Sequence, residues 1–510
     1  MKHIISRTAL AVSTAAAVAF VGPVGASIVA TMPAAVAQAQ VDVNHATKLT
    51  IKKYEGEPIG EGGSLDGMKT IKDVTFKVER IADIAPLNTA QGWEDVATAG
   101  EKKVADLQVD PNFTAKEVAT NADGEAVFTD LGVGLFRVTE LRAEGAKHSV
   151  TTPFLLTLPA FENGEAKYER TISPKNQILE PKKSLISENT TLGDKARYRI
   201  DAPIPAFGPN PEGDQLRVVD TLSANLKWTQ AEHPVLVQVL KSADDKEPET
   251  LAVDTHYTVP EAGGNTINVT FTKDGLQKLR ELRAANPGLI VRTEFDATLV
   301  DLPENGTIDN TAQVYYSNDD KPHNTTPTDD PDGGATTLNF ANVEVTKLLN
   351  KQAKDGEKNG AGAQFQIFTC TKQNDGSWKV EQGTAAQRVV IDGKPGTTLT
   401  ADKTVADGNE HAGAAQAKAK GLNLTKKDNT FADYCAVETK GVSGYLNNPE
   451  PQPLTYDEAT KTLTGSVNNV KDNLFGRLPA TGERTMLIIL ALGVVLFGGG
   501  AVYQLRSRKA

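Results

Sequence analysis

Two apolar segments decide which part of this 510-residue chain can build a folded body. The C-terminal one runs from about Met486 to Leu505 and closes on Arg506-Ser507-Arg508-Lys509. Roughly 20 apolar residues cross a bilayer as a helix, and a terminal basic cluster keeps the tail on the inner side. At the other end Lys2, His3 and Arg7 precede an apolar stretch from Ala9 to Val21. Ala35-Val36-Ala37 and Ala37-Gln38-Ala39 are both small-x-small cleavage sites. This predicts a secretory signal peptide over residues 1–39, removed after Ala37 or Ala39. The exported body between the two segments has about 440 residues, too many for one core and suited to three domains.

The formal net charge of -11, from 54 basic and 65 acidic residues, is spread along the chain. No basic patch is interleaved with aromatics, which argues against a nucleic-acid partner. The two cysteines, Cys370 and Cys435, both fall in the last exported segment, and an oxidising exterior favours their pairing. A bridge closing a loop of that size contributes roughly 4 kcal/mol in the chain-entropy account. With seven histidines and no paired His/Cys spacing, zinc has no support. The run from Asn318 to Gly334 carries Asp319, Asp320, Asp329, Asp330 and Asp332. Clustered oxygens suit calcium, but the spacing matches no EF-hand loop and reads as a solvated acidic linker. No cofactor is expected. The chain lacks a Gly-x-Ser-x-Gly elbow, a His-Glu-x-x-His pair and a recognisable catalytic carboxylate pair, so it does not read as an enzyme.

The body reads as strands. Leu49-Thr50-Ile51, Val74-Thr75-Phe76-Lys77-Val78, Phe136-Arg137-Val138-Thr139-Glu140 and Val343-Glu344-Val345-Thr346-Lys347 alternate apolar and polar residues between Gly, Pro, Asn and Asp turns. That pattern predicts antiparallel sandwiches with one buried face. Helix is favoured chiefly over Lys273 to Ala285. Composition breaks at Pro174–Lys182 and Asn318–Gly334 divide the body into domains at 40–180, 181–340 and 341–476, giving an all-β chain of three tandem sandwiches. The first and third share a weak repeat: an opening strand ending in Lys, a strand with an inward aromatic at Phe76 or Phe365, and a later strand carrying Glu140 or Glu438.

Three residues of the last domain carry a chemical suggestion. Strand alternation puts Val343, Val345 and Lys347 on one side, and a lysine aimed into a core is costly unless paired or neutral. Glu438 sits among apolar neighbours, and Asn469 lies in the last strand of the body. Burial favours the neutral amine and the protonated acid. A neutral Lys347 amine can then attack the Asn469 carboxamide while Glu438 hydrogen-bonds the carbonyl oxygen and moves protons. Ammonia leaves and an amide cross-link remains. A buried Lys-Glu ion pair with Asn hydrogen-bonded nearby accounts for the same spacing.

Ala436-Val437-Glu438-Thr439-Lys440-Gly441-Val442-Ser443-Gly444-Tyr445 resembles the E-box of Gram-positive pilins, with Val-Ser where that family often has Ala-Pro. The resemblance implies a Lys347–Asn469 isopeptide bond with Glu438 as catalyst. It also implies immunoglobulin-like domains of CnaA/CnaB type. Lys182-Lys183-Ser184-Leu185, Val218-Val219-Asp220-Thr221-Leu222 and Ile308-Asp309-Asn310-Thr311-Ala312 resemble the middle domain of Spa-type backbone pilins. There they imply Lys183, Asp220 and Asn310, with Lys182 and Asp309 as the competing lysine and acid. In the first domain Lys53, Glu140 and Asn176 form the corresponding set, Lys52 being the exposed alternative. Some pilins cross-link this domain and others do not.

Leu478-Pro479-Ala480-Thr481-Gly482, followed by the apolar segment and basic tail over 478–510, resembles the LPxTG sorting signal of Gram-positive surface proteins. In that family a sortase cuts between Thr and Gly, holds the Thr as a thioester and passes it to an amine. Tyr168-Glu169-Arg170-Thr171-Ile172-Ser173-Pro174-Lys175-Asn176-Gln177 is similar to the pilin motif, which implies a reachable Lys175 that accepts Thr481 of another subunit. Thr152-Pro153-Phe154-Leu155-Leu156-Thr157-Leu158-Pro159 matches the segment preceding that motif. The resemblance implies a shaft subunit of a sortase-assembled pilus that supports adhesion. The precursor is transiently membrane-anchored and the product wall-anchored at the cell surface. The implied partners are pilus-specific and housekeeping sortases, other copies of the chain, minor tip and basal pilins, peptidoglycan and an unspecified host receptor. A monomeric wall-anchored adhesin and a basal pilin are the competing readings.

Overall fold

The computed structural model describes residues 41–472, apart from 58–63, 143–146, 163, 188, 208–213, 261–264, 318–320, 328–335 and 426–430. The expected signal peptide, the sorting pentapeptide, the apolar segment and the five aspartates of the acidic run lie outside the described residues. Among the described residues no helix is long and apolar enough to cross a membrane.

Alternation builds the sheets as the residue pattern requires. In Lys48–Lys52, Leu49 and Ile51 are buried while Lys48, Thr50 and Lys52 turn outward. In Lys195–Pro203 the inward set is Ala196, Tyr198, Ile200 and Ala202. The first region pairs a three-stranded sheet (169–172, 48–52, 125–129) with a four-stranded one (116–119, 75–80, 134–141, 154–158). Seven- and five-stranded sheets follow in the middle region, and eight- and five-stranded sheets in the last. The strand Thr337–Leu349 runs through the junction of the last two regions without a break. Its start pairs with Thr307–Asp309, and its remainder with Ala415–Asn423 and Thr462–Asn469. Phe340 packs in the middle core and Ala341 in the last.

One topological feature recurs. In each region the opening strand lies parallel to the closing one: Leu49 beside Arg170, Lys182 beside Thr326, and Lys347 beside Val467. Two strands far apart in sequence therefore meet edge to edge in the core.

The helix Lys273–Ala285 forms where the sequence favours it, with the Thr272 hydroxyl accepting from Gly275 N–H at 3.0 Å as its N-cap. A second helix, Ala90–Gly100, has no counterpart among the sequence expectations. Its two glycines weaken the local signal, and burial of Trp93, Val96 and Ala99 decides its formation. Trp93 meets Phe161 edge-on at 5.4 Å between ring centroids.

Cys370 and Cys435 lie on adjacent antiparallel strands, Gln364–Lys372 and Tyr434–Lys440, and are joined. Their sequence separation of 65 leads to an expected cost of about 4 kcal/mol for replacing both by alanine. Calorimetry should show the last domain melting earlier. A shift worth less than about 1 kcal/mol would mean that another constraint already closes this loop.

Candidate functional site

A lysine lies fully buried beside a carboxyl group in each of the three regions. In the first, Lys53 follows the strand Lys48–Lys52, and its backbone N–H donates to Gly124 O at 2.8 Å. The Lys53 amine reaches Glu140 Oε2 at 2.7 Å, Thr151 Oγ1 at 2.6 Å and Asn176 Oδ1 at 2.6 Å. Asn176 Nδ2 donates to Glu140 Oε1 at 2.5 Å. Glu140 sits opposite Phe76 across the sheet, and the Lys53 amine lies 5.6 Å from the Phe76 ring centre. Burial pushes the Lys53 pKa down, against the opposing pull of Glu140. Lys52, the alternative, is half-exposed and pairs with Glu125 at 3.0 Å.

The last region repeats this layout. Glu438 sits opposite Phe365, and the Lys347 amine lies 5.9 Å from that ring centre. Lys347 Nζ is 2.6 Å from Glu438 Oε1, though off the direction of a hydrogen bond. Asn469 Nδ2 donates to the same Oε1 at 3.1 Å, and Asn469 Oδ1 has no hydrogen-bond partner among the described residues. Burial holds Lys347 below the usual lysine range, with Glu438 opposing. Two glycines keep the space open. A Cβ on Gly360, at φ +92, would lie 2.5 Å from Lys347 Cγ, and one on Gly441 would lie 3.0 Å from Asn469 Nδ2 and 2.0 Å from Asn447 Oδ1.

In the middle region Lys183 is ion-paired with Asp220, and its amine stands 4.9 Å from the Tyr198 ring centre and 6.0 Å from that of Phe295. The buried Asn310 carboxamide lies by the Tyr198 hydroxyl, outside hydrogen-bond geometry, and neither of its polar atoms has a partner among the described residues. Burial pushes Lys183 down to about 8 and pushes the Asp220 carboxyl up, each opposed by the other's charge. The competing residues sit elsewhere. Lys182 is half-buried at 3.9 Å from Glu180. Asp309 is exposed and accepts from Thr337 Oγ1 at 2.9 Å, away from the core.

Two sequence expectations need correction. The first places the acid on the carbonyl oxygen of the asparagine. In the first and last regions the carboxylate instead faces the amide nitrogen, the leaving group. The second makes Lys175 reachable, yet its side chain is only 1% exposed. Its short strand, Lys175–Asn176, pairs with Tyr54–Glu55, which places it next to Lys53. Burial, then the Lys53 charge, lowers its pKa. Sequence reasoning also misses Thr151 and Asn448. Their backbone N–H groups donate to the second carboxylate oxygen of Glu140 at 3.0 Å and of Glu438 at 2.7 Å. Both lie in loops without a periodic signal.

A buried amine, a carboxyl group and a carboxamide in one dry pocket can form an amide and release ammonia. Each unsatisfied polar atom left in such a pocket costs about 1–3 kcal/mol. Among the described residues no group of side chains suits a metal ion.

The fold and these clusters define a class, the multi-domain β-sandwich proteins with lysines buried beside acids. Residues 37–177 match the model of the Gram-positive pilin subunit D1, N-terminal domain. The chain is 29% identical to the fimbrial subunit type 1 of Actinomyces viscosus, across 98% of this chain and 96% of that one. It is 27% identical to the fimbrial subunit type 2 of Actinomyces naeslundii, across 90% of each. The full-length major pilin SpaD of Corynebacterium diphtheriae shares the fold, with a TM-score of 0.57, 21% identity, and coverage of 85% of this chain and 99% of that one. The first region thus matches a Gram-positive pilin domain, and the chain is similar along nearly its whole length to fimbrial subunits and shares the fold of a Spa-type major pilin.

The middle cluster yields a pH prediction. Neutral Lys183 beside protonated Asp220 holds the same single proton as the ion pair. Bond formation should therefore be flat with pH between the two titrations and fall above about 8, where the pair loses that proton. Folding chain that has been kept in denaturant since synthesis, from about pH 6 to about pH 10, and scoring ammonia loss by peptide mass spectrometry checks this. A rate still rising above about 8 would mean that lysine deprotonation alone limits the reaction.

Proposed function

We propose that the chain is the shaft subunit of a covalently polymerised pilus. A sortase cleaves between Thr481 and Gly482 and holds Thr481 as a thioester. The Lys175 amine of another subunit takes the acyl group, forming an amide and freeing the enzyme's thiol. Repetition of one non-closing contact grows a fibre one subunit wide. Attachment of the last Thr481 to peptidoglycan anchors the fibre to the wall.

Within each subunit, Lys53–Asn176, Lys183–Asn310 and Lys347–Asn469 form amide bonds, with Glu140, Asp220 and Glu438 moving the protons. The observation that carries this reading is the burial of all three lysines beside an acid. Intact mass tests it. Each bond removes one ammonia, and Glu438→Ala or Asp220→Ala should each restore one. A variant whose mass differs from the wild type by the substitution alone, with no ammonia regained, refutes that acid's role.

The burial of Lys175 favours a second reading, a monomeric wall-anchored adhesin in which this lysine is structural. An immunoblot of wall material released by a muralytic enzyme separates the two. A high-mass ladder that collapses to monomer in Lys175→Ala establishes the shaft role. A single monomer band in both chains establishes the adhesin.

A further inference from the structure

Resting on the Lys53–Asn176 reading, we infer that the Thr151 hydroxyl is a catalytic residue of that reaction, the donor that receives the negative charge developing on Asn176 Oδ1. Glu140 Oε1 accepts from the amide nitrogen of Asn176, and Oε2 accepts from the Lys53 amine and from Thr151 N–H. Both carboxyl oxygens are engaged with the attacking and leaving nitrogens, and neither faces the carbonyl oxygen. Attack at the Asn176 carboxamide carbon places negative charge on Oδ1, where a preorganised donor is worth most.

The Thr151 hydroxyl stands 3.2 Å from Oδ1 and 2.6 Å from the Lys53 amine. A hydroxyl can accept from one group while donating to another, so Thr151 can receive an amine hydrogen and give its own to Oδ1. The first contact turns the amine; the second stabilises the oxyanion. Thr151 is 2% exposed, so no bulk water competes. The segment is held beside the closing strand by Ser149 N–H donating to Gln177 O at 2.8 Å and Gln177 N–H donating to Ser149 Oγ at 2.9 Å.

Atoms and protons balance. Neutral Lys53 attacks the carboxamide carbon beside protonated Glu140, and the carbonyl electron pair moves to Oδ1 under the Thr151 hydroxyl. Glu140 gives a proton from Oε1 to the amide nitrogen and takes one from the lysine nitrogen at Oε2. The pair on Oδ1 re-forms the carbonyl, the carbon–nitrogen bond breaks and ammonia leaves. Glu140 and Thr151 end as they began.

The last domain provides the contrast. Asn448 N–H holds Glu438 as Thr151 N–H holds Glu140, but its side chain donates to Asn468 O at 3.3 Å. Asn469 Oδ1 has no partner among the described residues. The hydroxyl belongs to the first domain, which makes the Lys347–Asn469 bond an internal reference.

The test uses the full chain, kept in denaturant from synthesis so that no cross-link has yet formed and then folded by dilution, with both cross-linked peptides followed by mass spectrometry over time. Thr151→Val keeps the backbone N–H and the shape but removes the hydroxyl. Formation of Lys53–Asn176 should slow by roughly a hundredfold, while Lys347–Asn469 forms at its usual rate. Formation at the wild-type rate in Thr151→Val overturns the assignment. If valine prevents folding, Thr151→Ser and Thr151→Ala, both smaller, take its place. A fast serine variant with a slow alanine variant supports the role, and equal rates overturn it. No ammonia loss at Lys53–Asn176 in the wild type would instead sink the bond itself, and the inference with it.

Discussion

An amine kept out of water organises this molecule. A charged lysine in an apolar core is expensive, and the chain buries one in each region, over an aromatic ring and against an acid. The surroundings follow from that placement. The acid sits on the strand opposite the aromatic in the first and last regions, and the asparagine arrives from the closing end of the same region. In the first and last regions parallel pairing of the opening and closing strands makes the meeting possible, because it brings the two ends of the sandwich to one edge.

Much of this is legible in the sequence, for physical reasons. A period of two exposes which face is buried, so the inward aim of Lys347 can be read from Val343 and Val345. Lys53 is harder, since it stands one step beyond its strand in a break before Tyr54–Glu55. The helix Ala90–Gly100 escapes a sequence reading because tertiary burial of Trp93 and Val96, rather than propensity, stabilises it. Thr151 and Asn448 lie in loops, where no period marks a direction. Lys175 is buried and pairs with Tyr54, a long-range contact that local pattern does not carry. The orientation of the acids, toward nitrogen rather than oxygen, depends on backbone donors that no motif records.

In the proposed fibre, tension enters at Lys175 and leaves at Thr481, so the loaded path runs from 175 to 481. The bond Lys183–Asn310 would carry force past most of the middle domain, and Lys347–Asn469 past most of the last. The stretches left under load are 175–183, 310–347 and 469–481, and most of both large cores lies outside them. The Cys370–Cys435 bridge falls inside the bypassed segment. It therefore guards the last domain against thermal unfolding and exchange, not against pulling, once the Lys347 bond exists. The first domain precedes Lys175 and is off the path altogether. Its Lys53–Asn176 bond has a different consequence: it ties residue 53 to the neighbour of the linking lysine, so the first domain stays fastened at the joint while the rest of the subunit bears the load.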